Sequence, residues 1–167
     1  MSADRLVEEA ANEASLQPVE AAYVKVIFVR TVIGWVPPLI GAAVLDRLVL
    51  ADTAFAWVAP FVMALLALGA VLVAPRRIWL RLGYALEPRM LRVVRGWMWQ
   101  VDTLVPLARV QHLDIARSPL DKAFGTASLV VHTAGTHNSV VALPGLSPTR
   151  ADELATIIRG HVNDELD

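Results

Sequence analysis

The sequence predicts a two-helix transmembrane hairpin followed by a small β-barrel, or orthogonal sandwich, of about seven antiparallel strands capped by a C-terminal α-helix. Three observations carry this. Residues 24–75 hold two apolar blocks, the second of them 23 residues long without a charge. From Ile78 onward, short β-rich runs alternate with turn signals. The chain then closes on an amphipathic stretch that opens with Ser147–Pro148. Composition agrees: 56% of the 167 residues are hydrophobic and 19% charged, where a soluble domain carries about 25% charged residues. That balance excludes a disordered or collagen-like chain and an ordinary soluble enzyme core. The chain has no cysteine, which excludes a disulfide scaffold, a thiolate zinc site and a cysteine nucleophile.

Thr53–Pro75 is the uncharged run. At a helical rise of ~1.5 Å per residue it covers about 34 Å, enough for a ~30 Å hydrocarbon core with some tilt. Upstream, Thr31–Leu45 holds 15 uncharged residues bounded by Arg30 and Asp46–Arg47. Val24 and Val26–Val29 extend it backwards and Leu48–Leu50 forwards, with Lys25 and Arg30 where long side chains snorkel to headgroups. Pro37–Pro38 falls mid-block and predicts a kink, which membrane helices tolerate better than soluble ones. Two spans are expected, the alternative being one span with the first block lying in the interface. The first block follows an acidic stretch and lacks a convincing small-x-small cleavage site, so it does not read as a cleavable signal peptide.

Charge sets the orientation. Lys25 and Arg30 precede the first span and Arg76, Arg77 and Arg81 follow the second, while the connection holds Asp46, Arg47 and Asp52, net −1. The positive-inside rule then places both termini in the cytoplasm and the short hairpin outside, in a multi-pass protein of the cell (inner) membrane. Trp57 and Trp79 sit near the span ends, where either an interfacial belt or simple packing accounts for them. The expected organisation is an acidic tail at 1–23, spans at about 26–48 and 53–75, a cytoplasmic domain at 76–163 and an acidic tail at 164–167.

Within the cytoplasmic part, strands are expected at Ile78–Leu86, Met90–Arg95, Trp97–Pro106, Arg109–Ile115, Ser128–Ala134 and Ser139–Leu143. In the third, Trp97, Trp99, Val101, Thr103 and Val105 alternate onto one face. Gly96, Ala116–Lys122, Gly135–Asn138 and Pro144–Gly145 read as turns or breaks. The last helix has Ser147 as N-cap and Pro148 at its first position, with Leu154, Ile158 and Val162 on one face.

Several short stretches follow one another in order along the chain: Tyr84–Ala85–Leu86, Leu91–Val93, Gly96, Val105–Pro106, Arg109–Val110–Gln111 and Ser118–Pro119–Leu120. Phe124–Gly125–Thr126–Ala127, Leu129–Val131, Thr133–Ala134–Gly135, Leu143–Pro144–Gly145–Leu146, Ala151 and Leu154 continue the series. Over roughly residues 76–162 these resemble the bacterial pleckstrin-homology-like (PH-like) domains of the YdbS-like group, formerly a domain of unknown function, which often follow two membrane spans. The resemblance implies a seven-stranded PH-like barrel closed by the C-terminal helix. It implies no catalytic residue, and it supplies no substrate.

The strongest chemical signal is a basic cluster beside the membrane: Arg76, Arg77, Arg81, Arg89, Arg92 and Arg95 against Glu87 alone, net +5. Such residues either hold the topology or contact anionic lipids, worth about 1 kcal/mol each near the surface. Trp97 and Trp99 are either barrel core or an exposed face for a partner. The histidines show no metal-ligand spacing, and Asp114 and Asp121 read as turn residues rather than a carboxylate pair. Neither Gly-x-Ser-x-Gly nor a phosphate-binding glycine loop occurs. No catalytic, metal or cofactor site is expected, and no nucleic-acid or small-molecule substrate. The expected function is a non-catalytic binding or scaffolding module, acting through self-association or a membrane-protein partner. The alternative is recognition of anionic phospholipid headgroups in envelope signalling or stress response. The lipid reading predicts that Arg89, Arg92 and Arg95 converge on one exposed concave patch; the partner reading predicts an exposed apolar patch at Trp97 or Trp99. A structural subunit of a larger complex would instead use Gly34 and Gly41, seven apart, for close helix contact.

Overall fold

A computed structural model describes residues 16–53, 55–97, 99–134 and 140–164. Residues 1–15 of the expected tail at 1–23, residues 165–167 of that at 164–167, the turn at 135–138 with His137, and Met98 lie outside them. The chain divides into a helical unit, Val24–Ile78, and a strand-built unit that joins the residues up to Tyr23 to those from Trp79 onward.

In the helical unit, α1 (Tyr23–Leu45) runs through Pro37–Pro38 and ends in a single wide turn of π-helix at Asp46–Leu50. The second helix, α2, covers Val58–Leu80. Both are long and apolar enough to cross a bilayer. Ile40, Leu65 and Leu72 stand 59, 61 and 69% exposed along them, so apolar side chains of both helices are left uncovered by the described residues. Pro75 does not end α2 as expected; the helix takes up Ile78–Leu80 and closes where the Leu82 amide donates to the Trp79 carbonyl at 3.1 Å. A three-residue apolar run suits helix and strand alike, which is why the first expected strand began too early.

The connection between the helices is built on Asp46. Its carboxylate accepts the Trp57 amide at 2.7 Å, next to the first residue of α2, and the Arg47 guanidinium lies 4.5 Å over the Trp57 ring. Trp57 takes a left-handed backbone, φ +72°, which a fixed hydrogen bond on its amide helps to hold. An acidic acceptor at a helix N-terminus satisfies a free donor and complements the dipole. Asp46→Ala is expected to destabilise the hairpin by about 1 kcal/mol, read as lowered thermal stability of the helical circular-dichroism signal in micelles. An unchanged transition would show that the cap contributes nothing.

The strand-built unit holds two antiparallel sheets. One has the order β1 (Gln17–Pro18), β2 (Gly83–Leu86), β3 (Met90–Arg95), β4 (Val101–Pro106); the other is β5 (Val110–Ala116), β6 (Ala127–Thr133), β7 (Val140–Leu146). This is the expected PH-like arrangement of two apolar helices, seven strands and a last helix, with two differences. Among the described residues no ladder joins β4 to β5 or β1 to β7, so the sheets do not close into a barrel. A 3₁₀ turn at Leu107–Arg109, with Leu107 and Val110 buried, carries the chain from one sheet to the other instead. The seventh strand, β1, precedes the helices: residues 16–23, expected to belong to a tail, pair with β2 in the register Gln17↔Tyr84.

Alternation builds the core. Leu91 and Val93 of β3, Val105 of β4, Leu129 and Val131 of β6 and Val141 and Leu143 of β7 are all buried. The last helix, α4, spans Pro148–Asp164 and adds Ala151, Leu154, Ala155 and Ile158 while packing on β5, β6 and the 3₁₀ turn. The Arg150 amide donates to the Ser147 hydroxyl at 3.3 Å, the expected N-cap. Strand β7 continues through Pro144–Gly145, where a break was expected. As the edge strand it needs no outward amide at Pro144, and the register shift between Ala127 and Leu129 absorbs the extra residue as a bulge.

Between β5 and β6 the expected turn is a short helix, α3, at Pro119–Phe124. Ser118 and Asp121 form a capping box: the Asp121 amide donates to the Ser118 hydroxyl at 3.2 Å and the Ser118 amide to the Asp121 carboxylate at 3.0 Å.

Candidate interaction surface

The β3–β4 connection is a tight loop. Gly96 has φ +151°, and a Cβ there would lie 1.9 Å from the Trp99 carbonyl oxygen, so only glycine admits this turn. The Arg81 guanidinium donates to the Trp97 carbonyl, tying the loop to the segment that follows α2. Strand β4 starts at Val101, so Trp97 and Trp99 lie in the loop and not on the strand. Trp97 is 44% and Trp99 79% exposed. Strict alternation suggested a strand face there; the chain reversal at Gly96 removed both indoles from the ladder.

The six arginines divide between the two units. Arg76 and Arg77 are exposed in the helical unit, while Arg81, Arg89, Arg92 and Arg95 belong to the strand-built unit. Arg89 is exposed in the β2–β3 turn. Arg92 is engaged: its Nε donates to the Asp102 carboxylate across the β3–β4 pair at 2.7 Å, and its side chain is only 13% exposed. Arg95, three positions on, points to the other side of the strand. Arg92 and Arg95 therefore do not share one face of β3.

Other singled-out residues have structural work. The Trp79 indole donates to the Val19 and Glu20 carbonyls, both at 3.2 Å, which fastens residues 16–23 within the strand-built unit. Arg150 of α4 donates to the Tyr84 hydroxyl at 3.1 Å and to the Gln17 side-chain oxygen at 2.7 Å, and meets Glu153 at 3.1 Å. The Tyr84 hydrogen bond, with Glu153 second, raises the Arg150 pKa further above its usual value. A Cβ added at Gly34 or Gly41 would meet no atom of the described residues within 4 Å beyond its own helix.

Asp114 and Asp121 are not a carboxylate pair. Asp121 is buried in the α3 cap, whereas Asp114 is exposed on β5 with its carboxylate 3.0 Å from His132 Nε2. His112 stacks on His132, ring centroids 4.1 Å apart and planes 16° from parallel. The sequence carried half of this signal, His112 and Asp114 two apart on a strand; the third member comes from β6, some twenty residues on and beyond a helix read as a turn. His161 is spent locally, its Nδ1 2.9 Å from the Ile157 carbonyl.

No curated protein and no solved structure matches the chain. A family model described as a bacterial PH domain matches residues 22–162, a range that takes in both apolar helices together with the strands and the last helix.

Proposed function

The chain belongs to the bacterial PH domain family, and on that premise we propose that it is a membrane-anchored, non-catalytic module that binds a second copy of itself or a membrane-protein partner. PH-like domains are in general binding or scaffolding modules. The hairpin would hold the domain at the cytoplasmic face of the cell membrane, with the Lys25, Arg30, Arg76, Arg77 and Arg81 charges inside.

The observation that carries the reading is the pair of exposed indoles on a braced loop. Exposed tryptophans supply large contact area at little entropic cost and are enriched where binding energy concentrates. Gly96 and the Arg81 bond fix the loop beforehand, so little ordering remains to be done on binding. A headgroup site is less well supported, because Arg92 is committed to Asp102 and Arg95 faces away from it; Arg76, Arg77 and Arg89 are the residues it would have to use.

The test is a photo-crosslinking amino acid in place of Trp99, in the full-length protein in native membranes. A crosslinked homodimer, or one discrete heteroadduct lost in Trp97→Ala, is the expected result. Labelling of lipid alone, lost in Arg76/Arg77/Arg89→Glu, would overturn the partner reading in favour of the headgroup one.

A further inference from the structure

We propose that His112, Asp114 and His132 form a binding site for a first-row divalent metal ion of the zinc class on the outer face of the β5–β6–β7 sheet. The proposal is independent of the partner surface at Trp97 and Trp99.

Backbone register builds the site. Val110 at the start of β5 is buried, and simple alternation would turn His112 inward with it. The register shift between Val110 and His112 inserts one residue, Gln111, and resets the phase. Beyond it His112 and Asp114 are exposed and the alternate residues Leu113 and Ile115 half-buried. A bulge is the usual device by which a strand re-aims side chains. On β6, His132 is the direct cross-strand partner of His112, and Asp114 pairs with Val130, one diagonal step away. Two imidazoles and a carboxylate thus share one face of two paired strands, positions set by the ladder and not by a loop.

The donor geometry is near that of a coordination shell. One ligand atom from each of the three residues can be chosen so that all lie within 4.8 Å of one another. Metal–nitrogen and metal–oxygen bonds of about 2.0–2.2 Å bring neighbouring donors to roughly 3–3.5 Å. The Asp114–His132 contact is already at 3.0 Å. Closing the remainder needs the stacked rings of His112 and His132 to turn out of parallel so that their nitrogens converge, a rotation the exposed His112 side chain is free to make. The donor set decides the ion. Two imidazole nitrogens with one carboxylate suit Zn²⁺, Cu²⁺, Ni²⁺ or Co²⁺, whereas Mg²⁺ and Ca²⁺ prefer shells of oxygen alone. Three protein ligands leave positions open for water or an incoming group.

The test uses the full-length protein, without an oligohistidine tag, in detergent micelles. Co²⁺ is followed by its visible absorption and Zn²⁺ by calorimetry. Saturable binding of one ion per chain is expected, unaffected by excess Mg²⁺. His112→Ala, Asp114→Ala and His132→Ala are each expected to weaken it by more than about tenfold, the lower range for changes made merely around a metal site. His161→Ala should leave it unchanged. The milder His112→Gln and Asp114→Asn guard against misfolding, with circular dichroism as the check. Absence of saturable binding, or binding that survives removal of both His112 and His132, overturns the proposal.

Discussion

Gly145→Ala is expected to destabilise the strand-built unit by about 2–5 kcal/mol. Two costs combine. Gly145 has φ +79°, a left-handed conformation that costs an L-residue about 1–2 kcal/mol. A Cβ there would also lie 2.7 Å from Cγ and 2.8 Å from Cδ1 of the buried Tyr23 ring, overpacking worth about 1–3 kcal/mol more. The ring has little room to retreat. The Tyr23 amide donates to the Glu20 carbonyl at 3.0 Å, and the Glu20 amide donates to the Gly145 carbonyl at 2.8 Å. The substitution therefore strikes the contact that straps residues 16–23 to β7. Thermal unfolding of the full chain in detergent should show a fall in melting temperature on the order of 10 °C. Gly125→Ala is the control: Gly125 also has a positive φ, +69°, but nothing lies within 4 Å of its added Cβ. It should cost only the backbone share. Equal losses at the two positions would show that the Tyr23 contact contributes nothing.

Asp121→Ala is expected to cost about 2–4 kcal/mol, because it strips buried donors of their acceptor. The carboxylate is 3% exposed. It accepts the Ser118 amide at 3.0 Å and the Thr126 hydroxyl at 2.8 Å, with the Ser118 hydroxyl also in contact. Thr126 is itself buried, so its hydroxyl has no water to turn to when the partner is removed. Asp121→Asn keeps one acceptor oxygen and should fall between alanine and the native protein. Thr126→Val removes donor and hydroxyl together, leaves the α3 cap intact, and should be the mildest of the three. Denaturant unfolding ranks them; an Asn variant as stable as the native protein would show that the second acceptor oxygen contributes nothing.

The sequence by itself determined the two long helices, most of the strands and the last helix, because each rests on a pattern held within one segment. Two long apolar runs could be nothing but apolar helices, β3 reads correctly at Met90–Arg95, and Ser147–Pro148 starts α4 as its capping chemistry requires. The resemblance read from residues 76–162 was right in kind and too short in extent, since the family match begins at residue 22.

Tertiary structure decided what depends on residues far apart in the chain. Residues 16–23 look like the end of an acidic tail until Tyr84 supplies a strand partner and Trp79 two hydrogen bonds. Trp97 and Trp99 alternate like strand residues, yet Gly96 turns the chain before them and leaves them open. Six arginines run close together in sequence, yet strand alternation sends Arg92 and Arg95 to opposite sides of β3 and Asp102 claims the first. His112 and His132 meet through a one-residue bulge and a ladder register. Periodicity reports which face of its own element a residue occupies. Pairing register, bulges and chain reversal decide which faces meet, and those are settled by the packing of the whole domain.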